Sequence, residues 1–146
     1  RGRIVLLSFW SAECPWVERV DRSLAALLPD WGERVVYLPV DSNVNESPDL
    51  LRKTAGERGL SPVLWDADSA LAATFGVEIN PHFFLFDERG LLRYQGAFDD
   101  INFRQRTPTR NYVQEAVTAL MAGRAPETDR TPPYGCTIVR FKDLIA

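Results

Sequence analysis

The stretch Val5-Leu6-Leu7-Ser8-Phe9-Trp10-Ser11-Ala12-Glu13-Cys14-Pro15-Trp16-Val17 decides how the rest of the chain is read. Starting at Ile4, an apolar and β-favouring run reaches Trp10 and predicts a buried strand. A short polar turn follows, and Cys14-Pro15 opens an amphipathic pattern. Proline suits the first helical turn because the N–H it lacks would be unpaired there. Cys14 is therefore expected at a helix N-terminus, where free N–H groups and the positive end of the helix dipole favour the thiolate. The thiolate is the form of cysteine that attacks.

Outward from this stretch, strands and helices alternate. The face formed by Val17, Val20, Leu24, Leu27 and Leu28 predicts a helix over 15–28, ended by Pro29 and Gly32, with Glu18, Arg19, Asp21 and Arg22 elsewhere on it. Residues 34–41 read as a second buried strand, and Pro39 suggests that its last part lies at an edge or leaves the ladder. Ser47 as N-cap, Pro48 at the first position and Asp49 in the first turn mark a helix to about Arg58. Asn45-Glu46-Ser47 matches a glycosylation sequon, a three-residue pattern that carries little weight.

Residues 62–65 predict a short strand and 68–75 a short helix before Gly76. After residues 77–81 come an apolar strand over 82–86, a turn at Asp87-Glu88-Arg89-Gly90 and a returning strand over 91–95. A last helix is expected over 108–122, capped by Thr107, and a proline-rich tail carries Cys136. The order implies an α/β fold with a central mixed sheet of about five strands and helices on both faces. The expected division is a domain over 1–123 with the tail, 124–146, packed on it.

Composition sets limits on function. With 146 residues, 45% of them hydrophobic, the chain is long enough for a real core. A net charge of −3 gives no sign of a nucleic-acid partner, and no apolar run approaches the ~20 residues of a membrane span. The chain opens on Arg1 rather than Met, as expected of a trimmed form. Its two cysteines, Cys14 and Cys136, are too few for a disulfide scaffold and wrongly spaced for a zinc finger. Inert core thiols, a structural disulfide and a redox pair all remain open, and two cysteines do not fix the compartment.

Strand, Trp-x-x-x-Cys-Pro, helix, then a proline before a hairpin and a closing helix together resemble the thioredoxin fold. Within it, the chain is similar to redoxins related to the alkyl hydroperoxide reductase/thiol-specific antioxidant proteins. Residues 9–16 lie where thioredoxins have Trp-Cys-x-x-Cys, Ile79-Asn80-Pro81 falls at the family's cis-proline, and residues 83–96 match its hairpin. Phe98-Asp99-Asp100 and Gly135-Cys136-Thr137-Ile138 resemble a bacterial subgroup with a C-terminal Gly-Cys-x-Ile element.

The resemblance implies a thiol–disulfide oxidoreductase with Cys14 as nucleophile. It implies substrate contacts at Trp10, Ser11, Pro15, Trp16, Asn80 and Pro81, and no cofactor or metal. The partners would be a protein or small-molecule disulfide, or a peroxide, and an external thiol reductant, in a bacterial cytoplasm or periplasm. Two departures matter. Val17 stands where a Cys-x-x-Cys motif beginning at Cys14 would have its second thiol, which leaves Cys136, on a tail expected to be mobile, as the internal candidate for resolution. Peroxiredoxins carry a proline seven residues and a Thr or Ser three residues before the reacting cysteine, whereas this chain has Leu7 and Ser11, so only the hydroxyl half of that pattern is present.

A permanent Cys14–Cys136 bond would instead be structural, worth about 5 kcal/mol in the chain-entropy model. A peroxiredoxin-like thiol peroxidase is one alternative. Another is a non-enzymatic redoxin, either an interaction module or a copper carrier using Cys14, Cys136 and His82. Asp99-Asp100 reads as a turn or cap feature rather than an acid dyad. His82 reads as an ordinary strand-start side chain rather than a general acid or base.

Overall fold

The computed structural model describes residues 2–60, 62–140 and 143. β1 (Ile4–Trp10) lies at the centre of a five-stranded sheet with β2 (Val35–Asp41), β3 (Leu64–Trp65), β5 (His82–Phe86) and β6 (Leu92–Gly96), in the order β3-β2-β1-β5-β6. β1 runs parallel to β2 and antiparallel to β5, so the sheet is mixed, as the alternation of elements implied. Ile4, Leu6 and Phe9 are fully buried, since successive side chains on a central strand point into layers on opposite faces.

α1 (Pro15–Trp31) and α4 (Tyr112–Met121) cover one face. Val20 and Leu24 meet Val113, Ala116, Val117 and Leu120 there over Ile4, Leu6, Tyr37 and Phe83. α3 (Ala70–Phe75) lies on the other face, where Ala72 packs with Phe9, Val40, Phe84 and Ile138. α2 (Pro48–Glu57) contributes Leu51 to a third cluster built on Trp10, Cys14 and Val17. Ser47 caps α2 as expected, its side chain accepting from the Leu50 N–H.

Three local expectations are corrected. Pro29 does not end α1, which runs on to Trp31. Trp31 is 6% exposed, and burying its ring holds the last turn across the missing N–H until Gly32, whose N–H bonds the Leu28 carbonyl. Pro39 stays in the ladder opposite Ser8, while β3 begins only opposite Val40, so the proline borders an open edge without leaving the strand. α4 starts at Tyr112 under an Asn111 cap rather than at 108. The carboxylate of Asp100 takes the N–H groups of Thr109 and Arg110 and keeps that stretch a loop.

Among the described residues, the tail is tied to the rest of the fold by a short strand pair and by backbone hydrogen bonds. β7 (Cys136–Thr137) pairs antiparallel with β4 (Ile79–Asn80). Ile138 is 1% exposed, and its N–H bonds the Glu78 carbonyl. Upstream, Thr131 and Gln95 bond through their backbones, an approach that Gly96 permits, because a Cβ there would strike Thr131.

Candidate active site

Cys14 is the N-cap residue of α1, in an extended conformation, with no side-chain cap hydrogen bond. Its sulfur is bonded to that of Cys136, with the two Cα atoms 6.3 Å apart. β1 carries the chain to this point, and the turn 11–13 sets Cys14 at the end of the sheet. Cys136 arrives from β7, where it pairs with Asn80. The Asn80–Pro81 bond is cis, and the Cys14 sulfur lies 3.8 Å from the Asn80 carbonyl oxygen. The structure thus brings Cys14, Cys136, Asn80 and Pro81 together.

The remaining residues singled out in the sequence divide into two groups. Pro15 is exposed and Trp16 half-buried. The Trp16 ring stands edge-on to Tyr134, centroids 4.9 Å apart, so an aromatic pair links the residue two after Cys14 to the residue two before Cys136. Trp10 and Ser11 point inward instead. Trp10 is 1% exposed and donates through Nε1 to Asp21 Oδ2 at 2.8 Å. Ser11 Oγ donates to Glu46 Oε2 at 2.5 Å, which engages the hydroxyl that a peroxidase pattern would need.

Asp21, expected off the apolar face of α1, is buried beneath the site. Arg58 bonds it at 2.7 Å, also holds the Ala12 carbonyl at 2.7 Å, and lies 5.3 Å over the Trp10 ring. Burial lifts the Asp21 carboxyl above its usual range, against the pull of Arg58 and of the Trp10 N–H. The helical pattern placed no partner for Asp21, because Arg58 comes from the end of α2.

Sequence reading also missed the residues around Glu46. Glu46 is 4% exposed, and besides Ser11 it accepts the N–H of Ala12 at 2.7 Å and of Glu13 at 3.3 Å. Beside it, burial and the neighbouring Glu46 push Asp41 up to about 9. Asn43 donates to Asp41 Oδ1 through its backbone at 2.8 Å and its side chain at 3.0 Å. The only trace of Glu46 in the sequence was its place in the sequon pattern. A buried carboxylate in a polar loop has no periodic signature.

This pair has a measurable consequence. An unfolded aspartate ionises near 3.8, so between about pH 4 and pH 9 the folded chain holds one proton more than the unfolded chain. Asp41 therefore contributes stability in full below about pH 4, and the contribution is lost as pH rises towards 9. One such group tilts stability by up to about 1.4 kcal/mol per pH unit inside that window. Asp41→Asn copies the protonated acid, with an amide donor in place of the O–H, and is expected to flatten the decline. Denaturant unfolding at pH 5 and pH 8 checks this, and equal slopes in the two proteins would refute it.

His82 is half-buried and stacks on Phe84 at 4.6 Å. Burial and, secondarily, the charge of Arg130 lower its pKa to about 4, so it is neutral across the physiological range. Asp99 pairs with Arg19 at 2.9 Å, and Asp100 organises the loop before α4, so the two acids serve structure. Among the described residues, no group of three His, Cys, Asp or Glu side chains is placed to hold a metal ion. No helix among them is long and apolar enough to cross a membrane.

Comparison with known proteins agrees with this geometry. The chain is 33% identical over 98 residues to the thiol:disulfide interchange protein DsbE of Tatumella citrea, covering 67% of this chain and 51% of that protein. It is 31% identical over 99 residues to DsbE of Escherichia coli K12, covering 68% and 52%. The chain thus spans about half the length of the curated relatives it matches. A solved structure of an uncharacterized conserved protein from Geobacillus kaustophilus superposes with a TM-score of 0.86 at 27% identity, covering 94% of this chain and 77% of that one. A secreted Mycobacterium tuberculosis disulfide oxidoreductase homologous to E. coli DsbE shares the fold, with a TM-score of 0.62 at 18% identity over 84% of this chain and 83% of that one. No family model matches the chain. Sheet order, the cis Asn80–Pro81 bond beside a cysteine at a helix start, and these relatives agree: the chain is a thioredoxin-like redoxin.

Proposed function

We propose that the chain is a thiol–disulfide oxidoreductase whose redox pair is Cys14 and Cys136, acting on protein thiols and disulfides. One observation carries this reading: the cysteine at the start of α1 is bonded to a cysteine 122 residues away that lies against Asn80. In the reduced protein the Cys14 thiolate attacks a substrate disulfide, forming a mixed disulfide and expelling one substrate thiolate. The Cys136 thiolate then attacks the Cys14 sulfur and expels the second substrate thiolate. The net result is two substrate thiols and the Cys14–Cys136 disulfide.

Recycling draws on the burial of the two residues. Cys14 is 4% exposed, whereas Cys136 is only half-buried. An external thiolate therefore meets the Cys136 sulfur first, and Cys14 leaves as a thiolate favoured by the N-terminus of α1. A second external thiol releases Cys136. Glu13, next to Cys14, is exposed, and water screens its charge.

The test is reduction of insulin disulfides with dithiothreitol as terminal reductant. The protein is expected to accelerate it and Cys14→Ser to lose the acceleration. A rate no faster than dithiothreitol alone would overturn the reading. Hydrogen peroxide consumption in the same thiol tests the peroxidase alternative, which the engagement of Ser11 by Glu46 disfavours.

A further inference from the structure

The loop between β2 and α2 touches both cysteine-bearing segments, and nothing in the exchange chemistry above uses it. On one side, the Glu46 carboxylate gathers Ser11 Oγ and the N–H groups of Ala12 and Glu13, the three residues ahead of Cys14. On the other, Asn43 Oδ1 accepts the Val139 N–H at 2.9 Å, and the Val44 N–H donates to the Val139 carbonyl at 3.0 Å. Val139 stands three residues after Cys136. Two backbone-directed bonds thus hold the tail to the same short loop that holds the turn before Cys14.

The loop itself is braced. Asn43 is 4% exposed, and its N–H and side-chain amide both bond Asp41. The Ser42 carbonyl accepts from Ser69 Oγ at 2.6 Å, and Ser42 Oγ donates to Asp66 at 2.7 Å. None of these bonds involves sulfur, so opening the disulfide removes none of them.

We propose that Asn43 and Glu46 are positioning residues for the thiol pair, clamping the segments on either side of it so that Cys136 stays tethered close to Cys14 after the disulfide opens. This rests on the reading of Cys14 and Cys136 as an exchanging pair. A tether raises the effective concentration of one thiol at the other, and a shorter, stiffer tether raises it further. With the chain fixed at 129–131 and at 138–139, the stretch carrying Cys136 lifts to admit a substrate and returns without a long search. The clamp thus replaces the local spacing that Val17 removes.

The test is equilibration of the protein with glutathione redox buffers, reading the closed fraction by alkylation and mass. Asn43→Ala is expected to shift the equilibrium about tenfold towards the dithiol, a rise in potential of ~30 mV. The alkylation rate of Cys14 in a Cys136→Ser background is expected to stay unchanged when Asn43→Ala is added. An equilibrium within twofold of the parent overturns the clamp. A tenfold shift with an equally altered Cys14 alkylation rate also overturns it, because the whole site would then have loosened.

Should Asn43→Ala fail to fold, amide hydrogen exchange in the unaltered protein decides. Slow exchange at Val139 in both oxidised and reduced forms supports the clamp, and loss of protection on reduction overturns it. A disulfide that never opens in the unaltered protein would defeat the exchange reading itself. That failure is visible before any variant is made.

Discussion

Cys136→Ser is expected to leave the protein arrested as a mixed disulfide on Cys14, with turnover lowered on the order of 100-fold or more. The magnitude follows from the chemistry of release. In the proposed cycle Cys136 is the resolving thiol, tethered on a short segment that returns to Cys14, and well-oriented intramolecular groups act at effective concentrations far above molar. Without it, release depends on external thiol at roughly millimolar concentration, and even a small part of the intramolecular advantage exceeds a factor of 100. The same change opens a loop of 122 residues, with a ceiling of about 5 kcal/mol on the stability lost under oxidising conditions. Intact mass after incubation with a disulfide substrate identifies the adduct, and steady-state reduction gives the rate. Parent-like turnover with no adduct would remove Cys136 from the cycle.

Gly135→Ala is expected to have the second-largest effect, although it touches neither sulfur. A Cβ at position 135 would overlap the Asn80 carbonyl oxygen and come within 2.8 Å of both the Asn80 carbonyl carbon and Pro81 Cδ. These are backbone and ring atoms with nowhere to go, so β7 must lift from β4 and carry Cys136 with it. Overpacking of this kind costs about 1–3 kcal/mol. At 1.4 kcal/mol per tenfold, that is roughly 5- to 150-fold in disulfide closure. Gly56→Ala in α2 is the control, because a Cβ there meets nothing within 4 Å and glycine is a poor helix former. Closed fractions in a glutathione buffer, measured side by side, check the pair. Equal closure in Gly135→Ala and Gly56→Ala would show that the close approach to Asn80 does not control the tail.

Much of the fold was legible because local rules and packing point the same way. The run from Ile4 to Trp10 is apolar on both faces and sits at the centre of the sheet, and Ser47-Pro48 starts α2 as its chemistry predicts. Cys14-Pro15 was legible for the same reason, since the position of a proline fixes where α1 begins. Elements held by distant partners were not. Asp21 faces inward where Arg58, at the end of α2, and the Trp10 N–H come to meet it, and α4 starts late because Asp100 captures the residues that would have begun it.

The tail is the clearest case. Its strand has two residues, too short to show a pattern, and it forms because Gly135 allows close approach to Asn80 and because Ile138 fills a core position. The residues that join the two cysteine segments, Asn43 and Glu46, are ordinary loop residues in the sequence. Only the folded chain puts them next to Val139, 96 positions after Asn43, and Ser11, 35 before Glu46.

Whether Cys14 and Cys136 exchange or only cross-link the chain is decided by the reduction potential of their disulfide. Equilibration against glutathione and dithiothreitol buffers, with the closed fraction read by alkylation, supplies that value. Reversible opening is expected between about −120 and −270 mV, the span of dedicated exchange proteins. A disulfide that stays closed below about −300 mV while the fold remains intact would be a structural cross-link, and would contradict exchange.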